Sequence, residues 1–81
     1  MDKEPVYLSI DAGNSRLKAG WFASQKLIKK LEISMDETNT LEAMIVSGPV
    51  LSACIIGSVS ASGEEIATRI PKGVPLIYAS H

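Results

Sequence analysis

Residues that usually carry chemistry in small domains are scarce in this chain. It has one cysteine, Cys54, and one histidine, His81, among 81 residues. A single cysteine excludes an internal disulfide and a cysteine-built zinc site. Cys54 sits in the apolar run "SACIIGSV" and reads as a buried, inert thiol. The lone histidine is terminal, with no neighbour in sequence to orient it as an acid or base. Charge of one sign is also missing. The formal net charge is −1, the basic residues are scattered, and only Lys29 and Lys30 are adjacent. This gives no electrostatic reason to expect nucleic acid or an anionic membrane as partner. No apolar run approaches the roughly 18 residues that a membrane helix needs. The start, Met1-Asp2-Lys3-Glu4, lacks the basic character of a signal peptide, so the cytoplasm is the expected location.

What is present is a soluble globular composition, 46% hydrophobic and 21% charged. The length suits one domain at most, and such a chain buries only roughly 60–65% of its unfolded surface. Val6 to Asp11 alternates apolar and polar residues, and Leu17 to Phe22 does so less strictly. Lys26 to Ser34 reads as a third strand with Leu27, Leu31 and Ile33 on one face and Lys29 a misfit. A helical reading of that piece stays open. The period then changes. Asn39 with Glu42 forms a capping-box pair, Leu41, Met44 and Ile45 follow at helical spacing, and Ser47-Gly48-Pro49 ends the helix. Val50 to Val59 reads as a strand covered on both faces. Ser62 with Glu65 opens a second helix through Ile66 and Ile70, broken by Pro71-Lys72-Gly73. Val74 to Ala79 is a last strand with no covering element after it in this sequence. Three strands, helix, strand, helix, strand predict an α/β layer on a mixed sheet.

The first two strands suggest their own pairing. Val6 opposite Trp21, Leu8 opposite Ala19 and Ile10 opposite Leu17 put six apolar residues on one face, which makes Trp21 a core residue. Tyr7 opposite Gly20, Ser9 opposite Lys18 and Asp11 opposite Arg16 then share the other face. Asp11 and Lys18 become diagonal neighbours, roughly 7–8 Å apart. A carboxylate and an ammonium at that spacing can bracket a phosphate, the acid holding Mg²⁺ and the lysine neutralising the anion. Between them Gly13 and Asn14 supply a turn able to reach left-handed angles, Ser15 adds a hydroxyl, and successive amides can form an anion-binding concavity. The plainer reading stands beside this one. Asp, Gly and Asn are ordinary hairpin residues, Lys18 a solvated side chain and Asp11–Arg16 a surface ion pair.

The stretch "IDAGNSRLKAGWF" resembles the first phosphate motif of type III pantothenate kinases: aspartate, any residue, glycine, asparagine, threonine or serine, two residues, lysine. "ACIIGSVSAS" and "VPLIYASH" resemble the fourth and fifth strands of that family. The resemblance implies a ribonuclease H-like α/β fold of the sugar kinase, heat-shock ATPase and actin superfamily, with order β-β-β-α-β-α-β. It implies that residues 1–81 are an N-terminal nucleotide-binding subdomain whose C-terminal half is not in this sequence. Carried over by position, Asp11 would position Mg²⁺, Gly13, Asn14 and Ser15 would line the ATP phosphates, and Lys18 would contact the transferring phosphoryl group. Ser58 and Ser60 would approach the same cleft or fill strand-end and capping roles. Pantothenate would be the substrate, ATP and Mg²⁺ the cofactors, with a monovalent cation and a homodimer in the full-length protein. The family's glycine-any-aspartate-arginine motif, which supplies the general base, is absent, since no glycine here is followed two places later by Asp. The alternatives are a kinase for a sugar or other small hydroxyl substrate, and a regulatory relative that binds nucleotide without transfer.

Overall fold

A computed structural model describes residues 4–58 and 62–79. The strands are β1 (Val6–Ala12), β2 (Arg16–Ala23), β3 (Lys26–Ser34), β4 (Ala53–Ser58) and β5 (Leu76–Ala79). After β3 a 3-10 turn, Met35–Glu37, leads into helix α1 (Thr38–Ser47), and α2 (Ser62–Thr68) joins β4 to β5. The strands form one mixed sheet in the order β3-β2-β1-β4-β5. β1, β2 and β3 pair antiparallel in succession, and β4 runs parallel to both β1 and β5. This is the mixed-sheet α/β architecture that the element order predicts, and it agrees with the ribonuclease H-like fold that the resemblance implies.

One face of the sheet is the core. β1 alternates buried and open residues along its length, because Val6, Leu8, Ile10 and Ala12 point inward. They meet Leu17, Ala19 and Trp21 of β2, Cys54 and Ile56 of β4, Leu41 and Ile45 of α1, and Ile66 of α2 in a single cluster. Both helices therefore cover the same face. At about 1.5–3 kcal/mol per fully buried large apolar side chain, this cluster is the dominant favourable term among the packing contacts.

The register differs from the expected one by two residues. Leu8 pairs with Trp21, Ile10 with Ala19, and Asp11 with Lys18. A shift of two keeps every side chain on its face, so alternation alone cannot separate the two registers. Trp21 is core, as predicted, but opposite Leu8 rather than Val6.

β3 spans the predicted residues, and the misfit Lys29 has an explanation. A bulge follows Trp21: Lys29 pairs with Trp21 and Leu27 with Phe22, leaving Ile28 as the extra residue. Lys29 thus lies on the Trp21 side, its ammonium 5.4 Å from the indole centroid, while Leu27 turns to the open face and is half exposed. The turn between β2 and β3 is a two-residue loop with Ser24 and Gln25 both at positive φ, 52° and 65°, the conformation whose twist suits a tight hairpin.

The first helical cap also falls elsewhere. Ser34 and Glu37 form the capping box, with Asp36 N–H donating to Ser34 Oγ and Ser34 N–H to Glu37 Oε1. Asn39 and Glu42 lie inside α1 and do different work. Their side-chain oxygens both accept from Arg69 Nη1 at 3.2 Å, tying α1 to the end of α2. Polar residues near a helix start serve either as caps or as tertiary partners, and spacing does not tell which. α2 begins at Ser62, where the sequence places its start, but ends at Thr68, short of the predicted Ile70; Ile66 and Ile70 are both buried.

β4 is shorter and less covered than its sequence implies. It begins at Ala53, Val50 is almost fully exposed, and Ile55 is partly exposed because the second face of the sheet carries no helix among the described residues. Val59 lies outside the described residues. All four residues of β5 are exposed. No helix among the described residues is long and apolar enough to cross a membrane.

Leu41 is fully buried between α1 and the sheet. Leu41→Ala should lower unfolding free energy by about 2–5 kcal/mol in denaturant titration, while Val46→Ala, at an exposed site on the same helix, should change it by less than about 0.5 kcal/mol. Burial pushes the Cys54 thiol up from 9.0 to about 11. The folded state then keeps a proton that the unfolded chain releases, so stability should hold below pH 9 and fall as pH rises through about 11. Cys54→Ala should flatten that alkaline limb in pH-dependent thermal unfolding.

Candidate functional site

The end of the sheet where β1 passes to β2 gathers the polar residues. Gly13 N–H donates to the Arg16 carbonyl at 2.9 Å, leaving Asn14 and Ser15 as the loop between them. Ser15 in turn accepts at its carbonyl from Met35 N–H at 3.0 Å, which anchors the loop to the start of the 3-10 turn. The hairpin tip is therefore held from two sides by backbone bonds.

Gly13 is needed for space, not for handedness. No residue of the loop has positive φ; among the described residues the left-handed positions are Ser24, Gln25 and Gly73. This corrects the expectation that Gly13 and Asn14 adopt left-handed angles. A Cβ on Gly13 would lie 3.2 Å from the Arg16 carbonyl oxygen, tighter than ordinary packing. Glycine is what lets the two backbone segments close on each other here.

The register places Asp11 directly opposite Lys18, closer than the diagonal expected, at roughly 5 Å between side-chain roots. Lys18 is in turn opposite Glu32 of β3. Asp11, Lys18 and Glu32 thus form a row of acid, base, acid across three strands, all exposed on the face without helices. Arg16 does not pair with Asp11. Its Nε donates to Glu32 Oε2 at 3.1 Å, the diagonal partner across β2 and β3. Neither Asp11 nor Lys18 makes an ion pair among the described residues.

These side chains line an open groove of about 360 Å³ with Gly13, Asn14 and Ser15. All five predicted site residues meet there, and Arg16 and Glu32 join them. Glu32 lay in the strand-like text "KLIKKLEIS", and only the β2–β3 register, set by the bulge and the turn, brings it beside Lys18. Larger grooves of about 510 and 680 Å³ lie at the opposite end of the sheet around Gly48, Pro49 and Val50. Each is mostly apolar and carries one charged side chain, Lys72 or Glu4, so neither offers paired acid and base.

The groove also sits where an α/β sheet presents ligands, beyond the carboxyl ends of its parallel strands. Gly57 pairs with Asp11 and Ser58 with Ala12, so β4 ends beside the hairpin. Ser60 and His81 lie outside the described residues. One free carboxylate suits Mg²⁺, which is commonly held by one or two carboxylates while water and phosphate complete its shell. No cluster of three metal-ligating side chains occurs among the described residues, so an all-protein cage is not offered. Asp11 is the residue that could hold the ion.

No protein-family model matches the chain. No curated protein matches it by sequence. Among solved structures it is similar to a foamy viral protease-reverse transcriptase in complex with dsDNA, with TM-score 0.54 at 9% identity over 98% of this chain and 24% of that one. That likeness is one of fold. A PPX-GPPA enzyme and a Ppx/GppA family member, both from Aquifex aeolicus, superpose more loosely, with TM-scores 0.48 and 0.45 at 12% and 13% identity. Each is matched over 96% of this chain and 36% of its own. The chain thus spans between 24% and 36% of the length of the structures it resembles.

The two glycines whose added Cβ would press on a backbone carbonyl, Gly13 and Gly48, differ in the cost of adding a methyl group. At Gly48 a Cβ would meet the Met44 carbonyl oxygen at 2.8 Å, against 3.2 Å at Gly13. Gly13→Ala should cost about 1 kcal/mol and Gly48→Ala more, measured by denaturant unfolding. The reverse order would show that the hairpin tip is more rigid than its two anchoring bonds imply.

Proposed function

We propose that this chain is the nucleotide-binding N-terminal part of an ATP-dependent kinase that phosphorylates pantothenate, an enzyme of coenzyme A biosynthesis that works as a homodimer in the cytoplasm. The observation that carries the reading is the free Asp11–Lys18 pair, exposed on one face at the mouth of a backbone-anchored glycine turn. The residues of the family motif are those that line this groove.

In the proposed reaction the acceptor hydroxyl oxygen attacks the γ-phosphorus of ATP, the bond to the β,γ-bridging oxygen breaks, and ADP leaves. The proton goes to a base outside this chain. Phosphoryl transfer asks the protein mostly for positioning and for charge stabilisation. Lys18, a compact cation, neutralises the transferring group. Backbone N–H groups of the loop and the Asn14 and Ser15 side chains orient the phosphates. Asp11 would hold Mg²⁺, whose charge offsets that of the phosphate oxygens. A sugar kinase of the same superfamily is the second reading. Asn14 stands where sugar kinases commonly carry a second glycine or a threonine, and this favours pantothenate.

The full-length protein supplied with ATP, Mg²⁺ and pantothenate should form phosphopantothenate. Lys18→Ala should lower kcat on the order of 10²- to 10³-fold with an unchanged melting temperature, as expected for loss of one charge-stabilising donor. Transfer to a sugar panel but not to pantothenate would move the assignment to the second reading. ATP binding with no transfer to either acceptor would leave a nucleotide-binding regulatory protein.

A further inference from the structure

Lys18 stands between two carboxylates yet pairs with neither. It is opposite Asp11 on one side and Glu32 on the other, and opposite charges directly across antiparallel strands attract. An ammonium captured by a neighbouring carboxylate is a poor ligand for an incoming anion, because binding must first break that pair. Glu32 is the stronger competitor, since Asp11 is the candidate for the cation. Its Oε2, however, is occupied by Arg16 Nε at 3.1 Å.

Both bases lie on β2, two residues apart and on one face, within reach of the same acid. Arg16 is diagonal to Glu32, and Lys18 is directly across from it. A guanidinium offers a rigid fork with several donors matched to a carboxylate, and it is less strongly hydrated than an ammonium. Arg16 therefore wins the acid, and Lys18 is left exposed and unpaired among the described residues.

From this geometry we propose that Arg16 is a positioning residue: by holding the Glu32 carboxylate it keeps the Lys18 ammonium free for the phosphate of a nucleotide. The inference rests on the nucleotide-binding reading of the groove. Arg16 acts through Glu32 and Lys18 and does not itself touch the ligand. Without it Glu32 swings to Lys18, and nucleotide affinity falls although no ligand contact has been deleted.

Calorimetric titration of the full-length protein with the magnesium complex of a non-hydrolysable ATP analogue tests this, with the melting temperature of each variant as a folding control. Arg16→Ala should weaken binding by about fivefold, the size of an exposed charge interaction. Glu32→Gln alone should leave binding within about twofold of the parent, and Arg16→Ala with Glu32→Gln should restore it to the same level. A double variant as weak as Arg16→Ala would overturn the proposal, because Arg16 would then be a direct phosphate ligand. Unchanged binding in Arg16→Ala, with binding lost in Lys18→Ala, would overturn it while leaving the nucleotide site intact. Unchanged binding in Lys18→Ala would instead remove the nucleotide reading itself, and this proposal with it.

Discussion

The burial of one face of the β1–β2 hairpin is the constraint on which the site depends. Leu8, Ile10, Leu17 and Trp21 are all essentially inaccessible. A slip of one residue would move them to the open face and drive Asp11 and Lys18 into the core, at the cost of several buried apolar side chains and two unpaired charges. The attraction between Asp11 and Lys18 is worth at most about 1 kcal/mol and cannot set this parity. Core packing decides which face the acid and base share; they contribute little to holding it.

Parity was readable from residue types, and register was not. Alternation has period two, so a shift of two leaves the buried set unchanged. The choice falls to the turn, where the sequence favours Gly13-Asn14 as the loop on the ordinary preference of those residues for positive φ. The chain instead closes Gly13 against Arg16 and makes Asn14-Ser15 the loop. It places its left-handed pair at Ser24-Gln25, where no glycine marks it. Tertiary bonds account for the outcome at the first turn, since Ser15 is tied to Met35, twenty residues on. The misplaced helix cap has a similar origin. Asn39 and Glu42 have a capping spacing, but Arg69 from beyond α2 takes both side chains. Strand limits and core identity follow local pattern, whereas caps, turns and register here answer to partners far away in sequence.

Topology then explains why the acid–base face stays open. β3 runs parallel to β1, and hence to β4, because two antiparallel steps separate β3 from β1. The crossover through α1 goes from β3 to β4, and the one through α2 from β4 to β5. Both move in the same direction across the sheet. With the usual right-handed connection, both helices must fall on the same side. That side is the face of Leu8, Ile10 and Trp21. The opposite face receives no helix from either crossover, so alternation delivers Asp11, Lys18 and Glu32 into solvent.

Charge in the groove is balanced, and the balance makes arrangement matter more than sum. Asp11 and Glu32 offset Arg16 and Lys18, so the four side chains create no net field to draw in an anion. What distinguishes them is engagement. Arg16 and Glu32 satisfy each other at 3.1 Å, whereas Asp11 and Lys18, although opposite in register, do not close into an ion pair. An acid and a base that are adjacent but unjoined can meet a ligand carrying both signs, a cation and the phosphate it accompanies, without first parting from one another. A single surplus lysine would attract any anion, and a closed ion pair would attract none. The hairpin presents the intermediate case, because the pairing of Arg16 with Glu32 leaves Asp11 and Lys18 unjoined.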